Sequence, residues 1–198
     1  MLSRSNQADL SAKAGFTMVE MLVVIAIFGI VTTILLFNLP TFRNQASLDL
    51  VAQEVAITIR GAQVFGGGGR VGVDTGDPPT YGIYIDQTNS QFDLFRDLDG
   101  SGGYNNQPGI ACVGECVERY ALSGGFKIND IACDATTDCN PLEITFTRPN
   151  LEPIFRHAGT IIPYGKIIIT IKSLRDQKTK SVLVWSNGQI ATSVVESN

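Results

Sequence analysis

An apolar segment near the N-terminus restricts this chain more than any other feature. From Phe16 to Leu39 the residues are apolar, small or weakly polar, and Glu20 is the only charged one among them. As a helix with a rise of 1.5 Å per residue, this segment would be about 36 Å long, and the hydrocarbon core of a bilayer is about 30 Å thick. The sequence therefore predicts one transmembrane helix over residues 16–39.

The residues before this segment predict a leader. A secretory signal peptide ends its apolar stretch with small residues at a cleavage site, and no such site follows Leu39. Here the polar, basic stretch with Arg4 and Lys13 comes first. We therefore expect any processing to occur before the apolar segment, which would leave the transmembrane helix in the mature protein.

The boundary between leader and span carries a family resemblance. Residues 15–20, with the sequence Gly-Phe-Thr-Met-Val-Glu, and the apolar residues after them closely resemble the cleavage and methylation motif of type IV pilins and type II secretion pseudopilins. The resemblance implies that a prepilin peptidase removes residues 1–15 by cleaving after Gly15, and that Phe16 becomes N-methylated. It also implies a single pass through the cytoplasmic membrane, with the head outside the cytoplasm, and later an extracellular or periplasmic filament.

Glu20 is the residue of this motif that says most about assembly. A carboxylate inside a bilayer costs several kcal/mol, so it needs a partner or a function there. The resemblance implies that Glu20 pairs with the new α-amino group of Phe16 in a neighbouring subunit and so sets the axial register during assembly. The alternative places Glu20 at headgroup depth, where it would be hydrated. The surrounding motif favours the assembly role.

The residues after the span predict that the helix continues. Pro40 should kink or interrupt it, because proline lacks the backbone donor and clashes with the preceding turn. Over residues 40–66, apolar residues then recur in steps of four and three, which is typical of an amphipathic helix whose apolar side packs on a folded domain. They are Leu48, Ala52, Val55, Ile59 and Ala62. We expect the helix to end at the glycine run 66–69.

The remaining chain, residues 67–198, is predicted to form a β-rich head. Strands are predicted at 81–85, 91–95, 126–131, 142–146, 167–171, 182–185 and 190–195, with Asn187-Gly188 as a tight-turn signal. The predicted fold class is therefore α+β: a long N-terminal helix packed on an antiparallel β-sheet head, as in pilins. The order of these elements resembles the minor pseudopilins, including the tip-proximal secretion pseudopilins, and related minor pilins.

Four cysteines lie close together in the head: Cys112, Cys116, Cys133 and Cys139. An even number of cysteines in an exported domain indicates two disulfides, and three pairings are open. The alternative is a four-cysteine zinc site. The spacings fit a zinc knuckle poorly, so we expect disulfides.

The stretch from Asp97 to Tyr104 resembles the first half of a calcium loop. Asp97, Asp99 and Ser101 offer oxygen ligands at alternate positions, and a glycine stands at the sixth position. The glutamate expected at position twelve is replaced by Pro108, so Asp93 or a backbone carbonyl would have to complete the shell. The sequence thus gives a calcium site as a hypothesis, against a solvated turn between strands.

The rest of the sequence favours a structural role over catalysis. No hydrolase, metalloprotease or phosphate-loop motif is present, and the single histidine, His157, has no base or orienting carboxylate nearby in sequence. The formal net charge of −4 disfavours nucleic acid as a partner, although the C-terminal half is locally basic and residues 172–180 are predicted to form a charged hairpin loop. We expect a minor pilin or pseudopilin without enzymatic activity, whose partners are other subunits, the peptidase, and an assembly platform with its ATPase. The alternative is a head that binds a ligand such as DNA or a surface.

Overall fold

The computed structural model describes residues 15–68, 80–105, 111–133, 137–149 and 151–194. The chain divides into two compact units, Met1–Pro40 and Thr41–Asn198. The first contains the apolar half of one long helix, and the second contains the other half of that helix together with the head.

Helix α1 runs from Met18 to Gly67. In the second unit its buried side chains recur every three or four residues, so the predicted amphipathic pattern is confirmed. They are Leu48, Ala52, Val55, Ala56, Ile59 and Ala62. The helix ends where it meets sheet residues, since a side chain at Gly66 would come within 2.6 Å of the Phe146 carbonyl oxygen. Only glycine fits such a close approach.

Of the two predicted effects of Pro40, a kink or an interruption, the interruption does not occur, because α1 continues through this residue. A proline inside a helix removes one hydrogen bond, and the remaining backbone bonds on both sides can keep the helix intact. Pro40 is nevertheless the last residue of the first compact unit.

Eleven strands follow α1 in the described residues, and all pair antiparallel. They are β1 (Tyr81–Asp86), β2 (Gln91–Arg96), β3 (Cys116–Ala121), β4 (Phe126–Cys133), β5 (Thr137–Asp138), β6 (Leu142–Phe146), β7 (Pro153–His157), β8 (Thr160–Ile161), β9 (Lys166–Ser173), β10 (Thr179–Trp185) and β11 (Ile190–Val194). Sheet A has the order β3-β2-β1-β6-β7-β8, and sheet B has the order β11-β10-β9-β4-β5. The α+β fold class is confirmed.

All seven predicted strands form, and four further strands were missed. Strands β1 and β2 form a hairpin that turns at residues 87–90. The missed β3 lies at the edge of sheet A and has mostly exposed or half-exposed residues, so it lacks the apolar alternation that predicts a strand. The missed β7 begins at Pro153. A proline argues against a strand in sequence interpretation, but it is tolerated at the first position of a strand.

One continuous core joins the apolar face of α1 in the second unit to both sheets. Strand β9 alternates between buried and half-buried residues, so sheet B has one face on this core and one towards solvent. Strands β1 and β2 are buried on both faces. The second face of sheet A is covered by the loop after β2, because Tyr104 packs on Tyr84 and Phe95 there.

Candidate functional site

The predicted processing site lies just before the start of α1. Gly15, Phe16 and Thr17 are outside the helix, and Met18 is its first residue. The hydroxyl oxygen of Thr17 accepts a hydrogen bond from the backbone N–H of Glu20 at 3.2 Å. This is an N-cap, in which a threonine satisfies a donor that has no partner inside the helix. The predicted cleavage point is thus in non-helical chain, and Phe16 is 77% exposed.

Thr17 and Glu20 have the spacing of a capping box, a signal that our sequence interpretation did not use. Glu20 also lies in the first turn of α1, where a negative charge is favoured by the helix dipole. Its carboxylate forms no hydrogen bond or ion pair with any residue in the part of the chain that the structure describes. The capping bond uses only the backbone of Glu20, so its side chain remains available to another subunit.

The described side chains of the apolar half of α1 are exposed, apart from the half-buried Thr32. Large side chains such as Phe28, Leu35 and Phe37 are at least 60% exposed, and no part of the most apolar 18-residue window is buried. A core helix of a soluble protein would be mostly buried. At Gly29, an added side chain would meet nothing within 4 Å, so the small residues Ala26 and Gly29 leave room for a neighbouring helix.

Comparison with protein families agrees with this geometry. Residues 10–36 match the family described as the prokaryotic N-terminal methylation motif. The chain therefore has a type IV pilin-like N-terminus. No curated protein and no solved structure gave a significant match to the chain.

The pilin-like N-terminus implies processing by a prepilin peptidase and assembly with other pilin subunits. Together with the exposed apolar helix, it also fits a membrane-anchored protein. Gly15, Phe16 and Glu20 all lie within the matched segment.

The four cysteines form the two predicted disulfides. Cys112 pairs with Cys116, and Cys133 pairs with Cys139. The second bond is buried, while the first lies near the surface and closes a short loop that contains Glu115. Because every cysteine is bonded to another, the zinc alternative is excluded.

The predicted calcium loop brings three carboxylates together. One oxygen each from Asp97, Asp99 and Glu115 lie within 4.8 Å of one another. Glu115 was missed by sequence reasoning, because it comes from the disulfide loop and is distant from Asp97 along the chain. Ser101 is in the same loop, where its backbone N–H donates to Asp99 at 2.9 Å.

Backbone amides already stabilise these carboxylates. Asp97 accepts hydrogen bonds from Gly100 and Gly102 at 2.8 and 2.7 Å, and Glu115 accepts from Leu98 and Asn105 at 3.1 and 2.9 Å. Among the described residues, no lysine or arginine forms an ion pair with any of the three. The loop therefore concentrates negative charge, in oxygen donors of the kind that hard cations prefer.

Asp93, which could have completed a calcium shell, is used elsewhere. It is fully buried on β2, and Arg119 on β3 donates to both its oxygens at 2.7 and 2.6 Å. The hydroxyl of Tyr104 donates to it at 2.9 Å. The hydrogen bonds to Asp93 raise the pKa of Arg119. The bidentate pair holds the edge strand β3 on sheet A, and the hydrogen bond from Tyr104 holds the covering loop there.

A second acidic side chain, Glu143 on β6, is buried beside this loop. It is 6% exposed, and its Oε2 atom has no hydrogen-bond partner in the described residues. It lines the same cavity as Ser101, Asn105 and Arg156. Burial raises the pKa of Glu143, and the charge of Arg156 opposes that shift. His157, the only histidine, faces the Pro141 carbonyl at 3.1 Å, which is a structural contact.

We predict that Glu143→Gln raises the melting temperature at pH 7 by a few degrees. The pKa of Glu143 is higher in the folded chain, so its contribution is most favourable below the unfolded pKa and is lost as pH rises above it. Glutamine does not ionise and avoids that loss. The measurement is the melting temperature of both proteins at pH 7 and pH 4 in EDTA. A gain that is larger at pH 4 than at pH 7 would contradict the prediction.

Proposed function

We propose that this protein is a minor pilin or pseudopilin, a structural subunit of a type IV pilus-like or type II secretion filament. The observation that carries the proposal is the processing motif directly before an exposed apolar helix, with one carboxylate that has no partner among the described residues of its own chain. A buried charge without a partner is unfavourable, so the arrangement favours a neighbouring subunit that supplies the opposite charge.

In this role, the peptidase cleaves after Gly15 and Phe16 is methylated. The subunit then waits in the cytoplasmic membrane with its head outside the cytoplasm. An assembly platform and its ATPase move it into a periplasmic or extracellular filament, where α1 packs laterally at Ala26 and Gly29 and the head contacts other minor subunits. We expect the subunit to act without catalytic activity and without a required cofactor.

The first test is the mass of the mature chain. Co-expression with a prepilin peptidase should remove residues 1–15 and leave N-methylated Phe16 as the first residue, and omission of the peptidase should leave the chain intact. Mass spectrometry of the N-terminal peptide distinguishes the two forms. An intact N-terminus in the presence of an active peptidase would overturn the proposal.

The alternative is a minor pilin whose head binds a ligand, such as DNA during uptake or a surface during adhesion. The basic residues of the hairpin between β9 and β10 favour an anionic ligand, while the acidic chain as a whole disfavours DNA. Salt-dependent binding of duplex DNA to the full chain in neutral detergent would support the alternative. A purely structural subunit would show none.

We also propose that calcium stabilises the loop of Asp97, Asp99, Ser101 and Glu115. Three carboxylates without an ion pair among the described residues support it, and so does the unpartnered Oε2 of Glu143 in the adjoining cavity. An extracellular calcium site of ordinary affinity would add about 1–3 kcal/mol at millimolar calcium. Thermal unfolding in calcium, magnesium and EDTA tests this. Asp99→Asn should abolish the calcium effect, and the distant Asp130→Asn should retain it.

A further inference from the structure

A row of polar side chains crosses the outer face of sheet A, which is the face turned away from the core that joins α1 to both sheets. Glu143 on β6 lies directly opposite Tyr84 on β1 and Arg156 on β7. Ile144, the next residue of β6, belongs to that core, so the side chain of Glu143 points to the other side of the sheet. Tyr84, Glu143 and Arg156 therefore stand side by side on the outer face, where the loop with Tyr104 covers Tyr84.

Arg156 faces Glu143 across the strands, but its guanidinium is used elsewhere. It donates to the Gly102 carbonyl of the covering loop and, at 2.8 Å, to the hydroxyl of Thr145. Thr145 is two residues beyond Glu143 on β6, so these bonds hold the guanidinium towards that end of the strand. No ion pair joins Arg156 to Glu143 in the part of the chain that the structure describes.

One oxygen of the Glu143 carboxylate is left unsatisfied. The backbone N–H of Tyr104 donates to this carboxylate, and Oε2 has no hydrogen-bond partner among the described residues. A buried charged oxygen without a partner is unfavourable, and such costs are typical of functional sites. A single free oxygen suits the point charge of an ammonium group, whereas the planar fork of a guanidinium prefers two.

The cavity that Glu143 lines suits the rest of a lysine side chain. Its volume is about 500 Å³, and it is open to solvent. Tyr84, Tyr104 and Pro141 also line it and contribute three rings to its walls. A lysine carries its charge at the end of a flexible apolar stem, which packs well on such walls.

The acidic loop borders this cavity and makes it attractive to cations. Asn105, which lines the cavity, donates from its side chain to Asp99 at 2.6 Å and from its backbone to Glu115 at 2.9 Å. Together with Glu143, the three carboxylates of that loop outnumber the guanidinium of Arg156. The charges around the cavity therefore favour a positively charged partner.

The described lysines of this chain lie elsewhere in the head. They belong to sheet B or to the turn between β9 and β10: Lys127, Lys166, Lys172, Lys178 and Lys180. The core contains the inner side chains of both sheets, so it separates sheet B from the outer face of sheet A. None of these lysines lines the cavity, and a lysine that fills it would come from another chain.

We propose that this cavity binds the side chain of a lysine presented by another protein chain. The ammonium group donates to Oε2 of Glu143, and the stem packs on Tyr84, Tyr104 and Pro141. The inference is independent of filament assembly, because the partner is defined only by its exposed lysine. It is also separate from the proposed calcium site, since Glu143 is not among the three carboxylates that cluster in the loop.

The experiment measures binding of Nα-acetyl-lysine N-methylamide to the full chain in neutral detergent with EDTA, by saturation-transfer NMR. We expect this capped lysine to bind with a dissociation constant of about 1 mM. Acetylation of its ammonium group should weaken binding by at least about tenfold, because the buried oxygen then receives no charged donor. The capped arginine should bind at least about threefold more weakly than the capped lysine, since only one oxygen is free.

Three variants locate the binding site. Glu143→Gln should weaken binding of the capped lysine by at least about tenfold, whereas Glu152→Gln changes an exposed glutamate outside the cavity and should have no effect. We expect Glu143→Gln to be more stable than the natural chain at pH 7, so its melting temperature shows that a loss of binding is not unfolding. Asp99→Asn removes an exposed carboxylate of the neighbouring loop and should weaken binding by less than about threefold. Since the same variant should lose the calcium effect, failures of the two proposals are distinguishable.

Equal binding of the capped lysine and its acetylated form would overturn the proposal. So would a loss in Asp99→Asn as large as that in Glu143→Gln, because the cation would then lie in the acidic loop. Displacement of the capped lysine by calcium in Asp99→Asn would assign Glu143 to a metal site. Tighter binding of putrescine than of the capped lysine would assign the cavity to a soluble diamine, and each of these two results would also overturn the proposal.

Discussion

Glu20→Ala should reduce incorporation of the subunit into filaments by at least about tenfold, while leaving the chain in the membrane. A carboxylate within the bilayer costs about 2.5–3.5 kcal/mol on insertion scales, and each 1.4 kcal/mol changes an equilibrium tenfold. In the proposed filament that cost is offset by the Phe16 amine of a neighbour. Alanine inserts more easily but lacks the pairing that distinguishes the assembled state. Quantitative immunoblots of sheared filaments and membrane fractions measure the ratio.

The structure makes this variant a clean test. The cap on α1 uses the backbone N–H of residue 20, so alanine retains it and the helix begins at the same place. Glu54→Ala is the matched control, since Glu54 is an exposed glutamate on the same helix. A second comparison combines Glu20→Ala with a variant of Gly15 that blocks cleavage. The two should be non-additive, because each removes one member of the same pair. Normal incorporation of the Glu20→Ala subunit would contradict the assembly role.

Asp93→Ala should destabilise the head by about 3 kcal/mol or more. Asp93 is fully buried, and its loss leaves the Arg119 guanidinium, whose side chain is 19% exposed, without its bidentate partner. Breaking a buried ion pair costs about 3–5 kcal/mol because the remaining charge is uncompensated. For a domain of this size, each kcal/mol shifts the melting temperature by about 2–4 °C. Thermal unfolding of the full chain in detergent, followed by near-UV circular dichroism, measures the shift.

The matched control is Asp49→Ala, which breaks the ion pair with Lys180. The Asp49 side chain is 50% exposed, so this change should cost less than about 1 kcal/mol. A second variant, Asp93→Leu with Arg119→Met, removes both charges together and should recover much of the stability lost in Asp93→Ala. Equal losses at Asp93 and Asp49 would show that the buried pair has no special role.

The strands that could be predicted are those whose residue pattern is contained in a short run of sequence. β1, β2, β9 and β10 have apolar or aromatic residues in short runs bounded by turn residues, and each was predicted. β3 and β7 have no such pattern, because an edge position or a partner strand decides their pairing. The arrangement of the strands in two sheets was also not predictable, since it depends on pairs far apart in sequence, such as β1 with β6 and β4 with β9.

The two candidate sites differ in the same way. The methylation motif is contiguous, so Gly15, Phe16 and Glu20 could be identified by reading along the chain. Part of the acidic loop could be predicted from sequence, because Asp97, Asp99 and Ser101 alternate along the chain. Its third carboxylate, Glu115, could not be predicted, because the Cys112–Cys116 disulfide and the contact with Asn105 bring it to the loop.

Sequence alone determined the apolar anchor, the predicted processing point and the amphipathic half of α1, because each depends on residues that are neighbours along the chain or on one helical face. Tertiary structure decided where the charges of the head lie. Asp93 is paired inside sheet A, and Lys178 and Lys180 lie beside the part of α1 that contains Phe42 and Asp49. These positions depend on strand pairing across long stretches of chain, which the order of residues does not reveal by itself.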